Sequence, residues 1–565
     1  MIAVLGATVS FSQKQEGRDT FQLPENEGFR IAPGYSFSAS GGGQPALSVT
    51  SADRSTRKVI GDVSEALEII NKNYVSITPR TNSELTRSAI SAMLKSLDPH
   101  SSYFDPAEFQ ELLDEQQSEY YGIGATIANF ERNGEIDTYV LATQPNSPAA
   151  RVGLKFGDRI LEINGKSGSG ETSDVVRDLV RGRRGTIVKL KIERAMDLKK
   201  QVIEIRRDRV PQPSIRDHYI LRPGIGYIDL ANGFNYTTIT EFDAAMKDLK
   251  RQGMSSLILD LRENPGGILD QAVKLAERFI PAGRVIVSQR GRFAIDNRVW
   301  KSANKNPETM PIVVLVGENT ASASEIVAGA LQDYDRALIV GEKTFGKGLV
   351  QTVFDLPLSA GLTLTTARYY TPSGRSIQRD YSNGNLYDYF AHRNDGPAAS
   401  MRRSEARTVT NRPVFGGDGI QPDEVVARRE ETDDELSLLD PLFFFVRDAV
   451  NGRISGLEVP GSAKAVKGTY RIENSEFAVS DMMLDAFIDY AARFDRDRYT
   501  AERTRNHVGY VRTRLRYNLA VAAYGTVVAE QILNDDDEQT AKATEALPRA
   551  GRLASIASKA RITAK

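Results

Sequence analysis

Apolar positions change their period several times along the chain, and each change marks a region. Over 57–117 they recur at helical spacing, as in Val59, Val63, Leu67 and Ile70. A second helix, expected over 82–97, stops at Asp98-Pro99. Over 118–207 the pattern becomes short runs between glycine turns. It predicts strands at 139–142, 159–163, 188–192 and 202–206 and a short helix at 173–180, together a small β-rich module. From Gly226 unbroken apolar runs at 256–261, 311–316 and 337–340 alternate with helical patterns at 268–279 and 322–332. Such runs predict a parallel sheet covered on both faces, here the core of a 208–430 domain. Ligands and chemistry in sheets of this kind sit beyond the carboxyl ends of the strands. Residues 376–412 are a polar excursion, and Gly419-Ile-Gln-Pro-Asp423 returns to the core. Residues 431–565 read as a helical extension, most clearly over 436–446, 480–494 and 504–532. Its stripe Val508, Val511, Leu515 and Leu519 reads first as core, and the expected role of the extension is self-association or gating of a groove.

The 565 residues suit three or four domains, and 40% hydrophobic with 26% charged residues describes an ordinary globular chain. Lys+Arg (73) and Asp+Glu (74) cancel, which gives no electrostatic case for nucleic acid or an anionic membrane as partner. The absence of cysteine excludes disulfides, thiolate catalysis and cysteine-held metals. The four histidines, His100, His218, His392 and His507, form no H-E-x-x-H, so no metal and no organic cofactor is expected. Met1 to Ser12 is apolar and rich in small residues, like the apolar part of a secretion signal, although no basic stretch precedes it. With the Gly-, Ser- and Pro-rich stretch 13–55, it makes 1–56 a signal-like segment and linker. An extracytoplasmic place, periplasmic or secreted, is the expectation.

Three segments carry candidate chemistry. Gly317-Glu-Asn-Thr-Ala-Ser-Ala-Ser-Glu325 lies between a strand and a helix. Ser322 and Glu325 fit the S-x-x-E capping box, so Ser322 could be only a helix cap. A serine at such a turn is also exposed, beside a helix N-terminus that favours developing negative charge. Ser324 is the competing nucleophile. A serine needs a base, histidines are scarce and G-x-S-x-G is absent, which leaves a lysine made neutral by burial. Lys347, in Gly341-Glu-Lys-Thr-Phe-Gly-Lys-Gly348, is the candidate. If 349–354 is extended, Lys347 and Gln351 share a face and Gln351 could hold the amine. The same segment matches most of a P-loop, but Gly348 stands where the magnesium-binding Ser or Thr belongs and a strand is expected to follow. The third segment, Leu259-Asp-Leu-Arg-Glu-Asn-Pro-Gly-Gly267, is a turn whose glycines let backbone N–H groups approach a ligand, as half of an oxyanion hole completed by the N–H of Ala323.

Asn264-Pro-Gly-Gly267, Ala321-Ser-Ala-Ser-Glu325 with Leu331-Gln-Asp333, and Gly346-Lys-Gly348 with Gln351 resemble the C-terminal processing, or tail-specific, serine peptidases. The resemblance implies Ser322 as nucleophile, Lys347 as general base and Gln351 as its orienting partner, with Ala323 and one of Gly266 or Gly267 as oxyanion hole. Asp333 matches a structural position, and Thr320 departs from the small residue many relatives carry. Gly153-Leu-Lys-Phe-Gly-Asp-Arg-Ile-Leu-Glu-Ile-Asn-Gly165 resembles the centre of a PDZ domain. Tyr121, Gly122, Ile123 and Gly124 resemble its carboxylate-binding loop, which would capture a peptide tail by strand addition. Leu97-Asp-Pro-His-Ser101 resembles the family's N-terminal helical region. The fold implied is a multidomain α/β protein: a parallel-sheet, crotonase- or Clp-protease-like peptidase core, a PDZ domain at 118–207, helices at 57–117 and the extension. The function implied is cleavage of proteins near accessible C-terminal tails, with a homo-oligomer or an adaptor as further partners. The alternative is a non-catalytic PDZ scaffold on a degenerate core.

Overall fold

The computed structural model describes residues 51–75, 80–356, 359–382, 389–390, 404–457, 459, 470–495 and 498–563. The signal-like segment lies outside them. The first helix, Ser51–Asn73, begins ahead of the expected position 57. The second, Asn82–Lys95, opens on a capping box in which Thr81 and Glu84 satisfy each other's backbone N–H groups.

The 208–430 region is built on a six-stranded sheet. Its order is Asp217–Arg222, Ile225–Asp229, Ser256–Asp260, Ile312–Val316, Leu338–Gly341 and Glu424–Val425. The first pair is antiparallel and every later pair is parallel. All five residues of Ile312–Val316 are buried, which explains their unbroken apolar run: each face of the strand meets protein. On one face Val314 and Leu259 pack under helices Thr238–Arg251, Leu269–Glu277 and Ala323–Asp333. On the other, Val313, Leu315 and Val340 pack under Ala543, Ala546, Leu547 and Ala550 of helix Glu538–Thr563. Alanines spaced three and four apart give that helix a flat stripe that lies close on the strands.

A second sheet was not anticipated. Ser102–Phe104, Val285–Gly291, Arg298–Lys301, Leu349–Asp355 and Gly361–Tyr370 come from scattered parts of the chain and pair antiparallel. The stretch after Lys347 is therefore a strand, as expected, but it belongs to this sheet and not to the parallel one.

The β-rich module is a five-strand path from Ala125–Arg132 through Glu135–Thr143, Arg159–Ile163 and Ile187–Glu193 to Lys200–Arg206, with helix Ser173–Val180 alongside. The chain enters and leaves it through a two-stranded hinge, Glu119–Gly122 against Asp208–Pro211. The extension embraces both domains. Phe443 of helix Leu439–Val450 stacks on Phe130 at 3.7 Å between ring centres and meets Tyr139 and Phe156 edge-on. Val511, Leu515 and Leu519 are buried in the same cluster, as the stripe predicted, but Val508 at the helix start is exposed. The helix expected over 504–532 is three helices, Ala501–Asn506, Val508–Tyr524 and Thr526–Asp535. One break falls at Gly525, whose φ of 86° a residue with a side chain rarely adopts.

Candidate active site

Strand Ile312–Val316 ends in a turn that is tied down before it reaches Ser322. Thr320 Oγ1 donates to the Leu261 carbonyl at 2.7 Å and accepts from Gly317 N–H at 2.9 Å. The Ala321 N–H donates to the Asn264 carbonyl. Thr320 thus serves the turn. Ser324 is equally committed: its hydroxyl donates to Asn264 Oδ1 at 2.7 Å and the side chain is fully buried, which removes it as a rival nucleophile.

Ser322 differs from both. Its backbone has φ 55° and ψ −115°, a conformation costly for a residue with a Cβ and found where a site over-determines it. Its hydroxyl accepts no hydrogen bond from the helix among the described residues, while Glu325 keeps the reciprocal half of the capping box by accepting from Ser322 N–H. Together with Gly267, Ala323, Leu349 and Tyr369, it lines a cleft between the two sheets.

Glu325 explains how the turn is held. Its buried carboxylate accepts from Ser322 N–H at 2.8 Å, and also from Gly346 N–H and Lys347 N–H at 2.8 Å each and from Thr344 Oγ1 at 2.5 Å. One side chain thereby staples the serine turn to the lysine loop. The phenol of Tyr369 repeats the tie, donating to the Ser322 carbonyl at 2.9 Å and to the Lys347 carbonyl. The sequence shows Glu325 only as the acidic member of a capping box. Its partners lie in a loop whose approach nothing local announces.

Lys347 is almost fully buried, and burial pushes its amine down from 10.5 to about 7, against the opposing pull of Asp98 and Glu325. Gln351 is buried close by along the chain, but no hydrogen bond joins it to the amine. Its Nε2 donates to Thr365 Oγ1 at 3.0 Å, and its Oε1 has no hydrogen-bond partner among the described residues.

The Asn264-Pro-Gly-Gly267 turn packs on the serine. A Cβ on Gly266 would stand 2.7 Å from Ser322 Cβ, and its φ is 104°, so no other residue fits. The Gly266 N–H is spent on Asn264 Oδ1 at 2.9 Å. Of the two glycines, Gly267 is the one whose N–H, like that of Ala323, meets no acceptor among the described residues and borders the cleft. Asp333 lies apart, holding buried Arg375 by an ion pair at 2.8 Å.

The Asp98-Pro-His-Ser101 segment, placed by sequence only in the N-terminal region, forms one wall of the site. Asp98 accepts from His100 N–H, Ser101 N–H and Ser101 Oγ at 2.8, 2.9 and 2.6 Å. His100 is buried against Phe345 and Tyr389 and shares a 2.8 Å hydrogen bond with the Tyr389 hydroxyl. Burial first, then the charge of Lys347, holds its imidazole well below the ordinary histidine range.

In the β-rich module Tyr121 and Gly122 belong to the hinge, paired with Arg209 and Asp208. Ile123 and Gly124 stand in the turn ahead of edge strand Ala125–Arg132, where their carbonyls accept from Ala149 and Gln144 N–H groups. Ile123, Ala125, Ile127, Val176 and Val180 form an apolar floor between that edge and helix Ser173–Val180.

Residues 224–386 match the model of peptidase family S41, and residues 139–194 match a PDZ domain. A carboxy-terminal-processing protease of Bartonella bacilliformis is 39% identical over 334 residues, 58% of this chain and 75% of that protein. A "Probable CtpA-like serine protease" of Staphylococcus epidermidis is 35% identical over 312 residues, 55% of this chain and 61% of that protein. Among solved structures, a photosystem II D1 C-terminal processing protease is 27% identical, covering 64% of this chain and 86% of its own, at a TM-score of 0.34. The class that the family model and the curated relatives define is serine peptidase. The chain belongs to peptidase family S41, among the PDZ-bearing carboxy-terminal-processing proteases.

Proposed function

We propose that this protein is an endopeptidase that cleaves protein substrates near their C-terminal tails through Ser322 and Lys347. The neutral lysine takes the hydroxyl proton, and Ser322 Oγ attacks the scissile carbonyl. The N–H groups of Gly267 and Ala323 hold the oxyanion at a helix N-terminus. The lysine returns its proton to the leaving amine, and water then hydrolyses the acyl-enzyme. Gln351 does not hold the lysine in this arrangement; its Oε1, without a partner among the described residues, is the acceptor the amine would take up as substrate binds.

Substrate entry follows from two strand edges. The far edge of Leu349–Asp355, beside Ser322, pairs with no strand among the described residues, so an extended chain can add there. The edge of Ala125–Arg132 offers the PDZ module the same mode for a tail, its carboxylate meeting the backbone of Ile123 and Gly124. We place the activity outside the cytoplasm, on the strength of the apolar N-terminal stretch and the lack of cysteine.

The single observation that carries the reading is the positive-φ Ser322 fastened by Glu325 to a loop whose buried lysine is held near pKa 7. A non-catalytic scaffold has no use for that costly pairing. Casein cleavage by wild type, Ser322→Ala and Lys347→Ala tests it: both variants should lose at least about a thousandfold in kcat. Equal cleavage by all three would end the reading.

A further inference from the structure

The wall of the site contributed by Asp98 and Ser101 is connected to Gln351 by an unbroken chain of hydrogen bonds. Ser101 Oγ donates to Asp98 Oδ2 at 2.6 Å and accepts from Thr365 N–H at 3.0 Å. Thr365 Oγ1 accepts from Gln351 Nε2 at 3.0 Å, and the two residues are cross-strand partners next to a register shift that leaves Thr366 as the extra residue between Thr365 and Ala367. A bulge re-aims the side chain beside it and depends on its neighbours to fix the new direction. Thr365 does so for Gln351: its hydroxyl accepts from the amide NH2, and the carbonyl oxygen is left without a partner among the described residues. That oxygen is the buried atom without a partner, and an acceptor is what an amine requires.

We infer that Asp98 and Ser101, from the N-terminal helical region, are positioning residues for the base: they orient the Gln351 amide through Thr365. The inference rests on the Ser322–Lys347 reading. The groups bearing on Lys347 are Asp98 and His100 from this wall, Glu325 from the serine helix, and the phenol of Tyr369 from the neighbouring strand. His100 is neutral and the Tyr369 hydroxyl is held protonated by burial, so Asp98 is the charge that the wall adds.

Two separable effects follow. Thr365→Val keeps the backbone N–H that meets Ser101 but removes the acceptor for Gln351. It should lower kcat about tenfold or more with KM little changed, since a misplaced base costs rate and not binding. Ser101→Ala should do the same, and Ser101→Thr, which restores a hydroxyl, should recover most of the loss. Asp98→Asn removes a charge that favours the ammonium, so the acid limb of the kcat/KM profile should move to lower pH. A wall that only supported the fold would change the active fraction without moving that limb.

The full-length chain would be assayed on casein from pH 5 to 9, with thermal melting of each variant and Ser322→Ala as reference. Thr365→Val and Ser101→Ala at wild-type kcat, or Asp98→Asn with an unmoved limb, would overturn the inference while an inactive Ser322→Ala left the dyad standing. Wild-type cleavage by Ser322→Ala would instead remove the dyad itself. Thr365→Val keeps the test open even if the buried Asp98 variant fails to fold, because it leaves Asp98 and its three donors untouched.

Discussion

Lys347 is the residue at which stability and activity oppose each other. Burial holds its folded pKa near 7, below the unfolded 10.5, so folding disfavours the ammonium. The lysine therefore costs nothing above about pH 10.5, and its penalty grows as pH falls towards 7. Lys347→Met should stabilise the protein by roughly 3 kcal/mol at pH 8 while abolishing activity, with the advantage shrinking at pH 10. Urea unfolding of the two proteins at both pH values checks this, and a variant less stable at pH 8 would contradict it. Burial likewise disfavours the charged form of Glu325 and raises its pKa, but its hydrogen bonds oppose that shift. It satisfies three backbone N–H groups and a hydroxyl in the interior, so its loss would strand four donors at once.

At the scale of elements, legibility followed locality. The parallel strands and the helices between them were readable because each carries its own period and its own turn. Ser322 and Lys347 stood out as candidates because each lies in a short glycine-marked segment. The antiparallel second sheet was not, since its strands at 102–104, 285–291 and 361–370 are joined only by tertiary pairing. The same limit hid the larger part of the site's support. Glu325 looks like a capping residue until the 344–347 loop arrives, and Asp98-Pro-His-Ser101 looks like the end of a helix until Thr365 is beside it. Tyr121 and Gly122 show a related difficulty: a glycine after an aromatic pair suits a hinge strand and a binding loop alike, and pairing with 208–211 places them in the first.

For the whole molecule, the extension is the brace between domains. Its Phe443 and Phe444 pack on the PDZ sheet, while Ala543, Ala546 and Leu547 cover the outer face of the peptidase sheet. Arg447 adds a hydrogen bond from Nε to the Gly157 carbonyl at 2.7 Å. Such an arrangement ties the module to the core. Phe443→Ala should cost about 3–5 kcal/mol and speed hydrogen exchange in strands 125–132 and 135–143 ahead of the parallel sheet. A melting temperature and exchange pattern like those of wild type would reject the bracing role.

The most direct measurement is the titration of Lys347 itself, followed by NMR of the full-length protein labelled at lysine side chains and assigned with Lys347→Arg. One lysine should titrate near pH 7, and its signal should vanish in that variant. A Lys347 that stays protonated until about pH 10, as free lysines do, could not serve as the base and would contradict the mechanism.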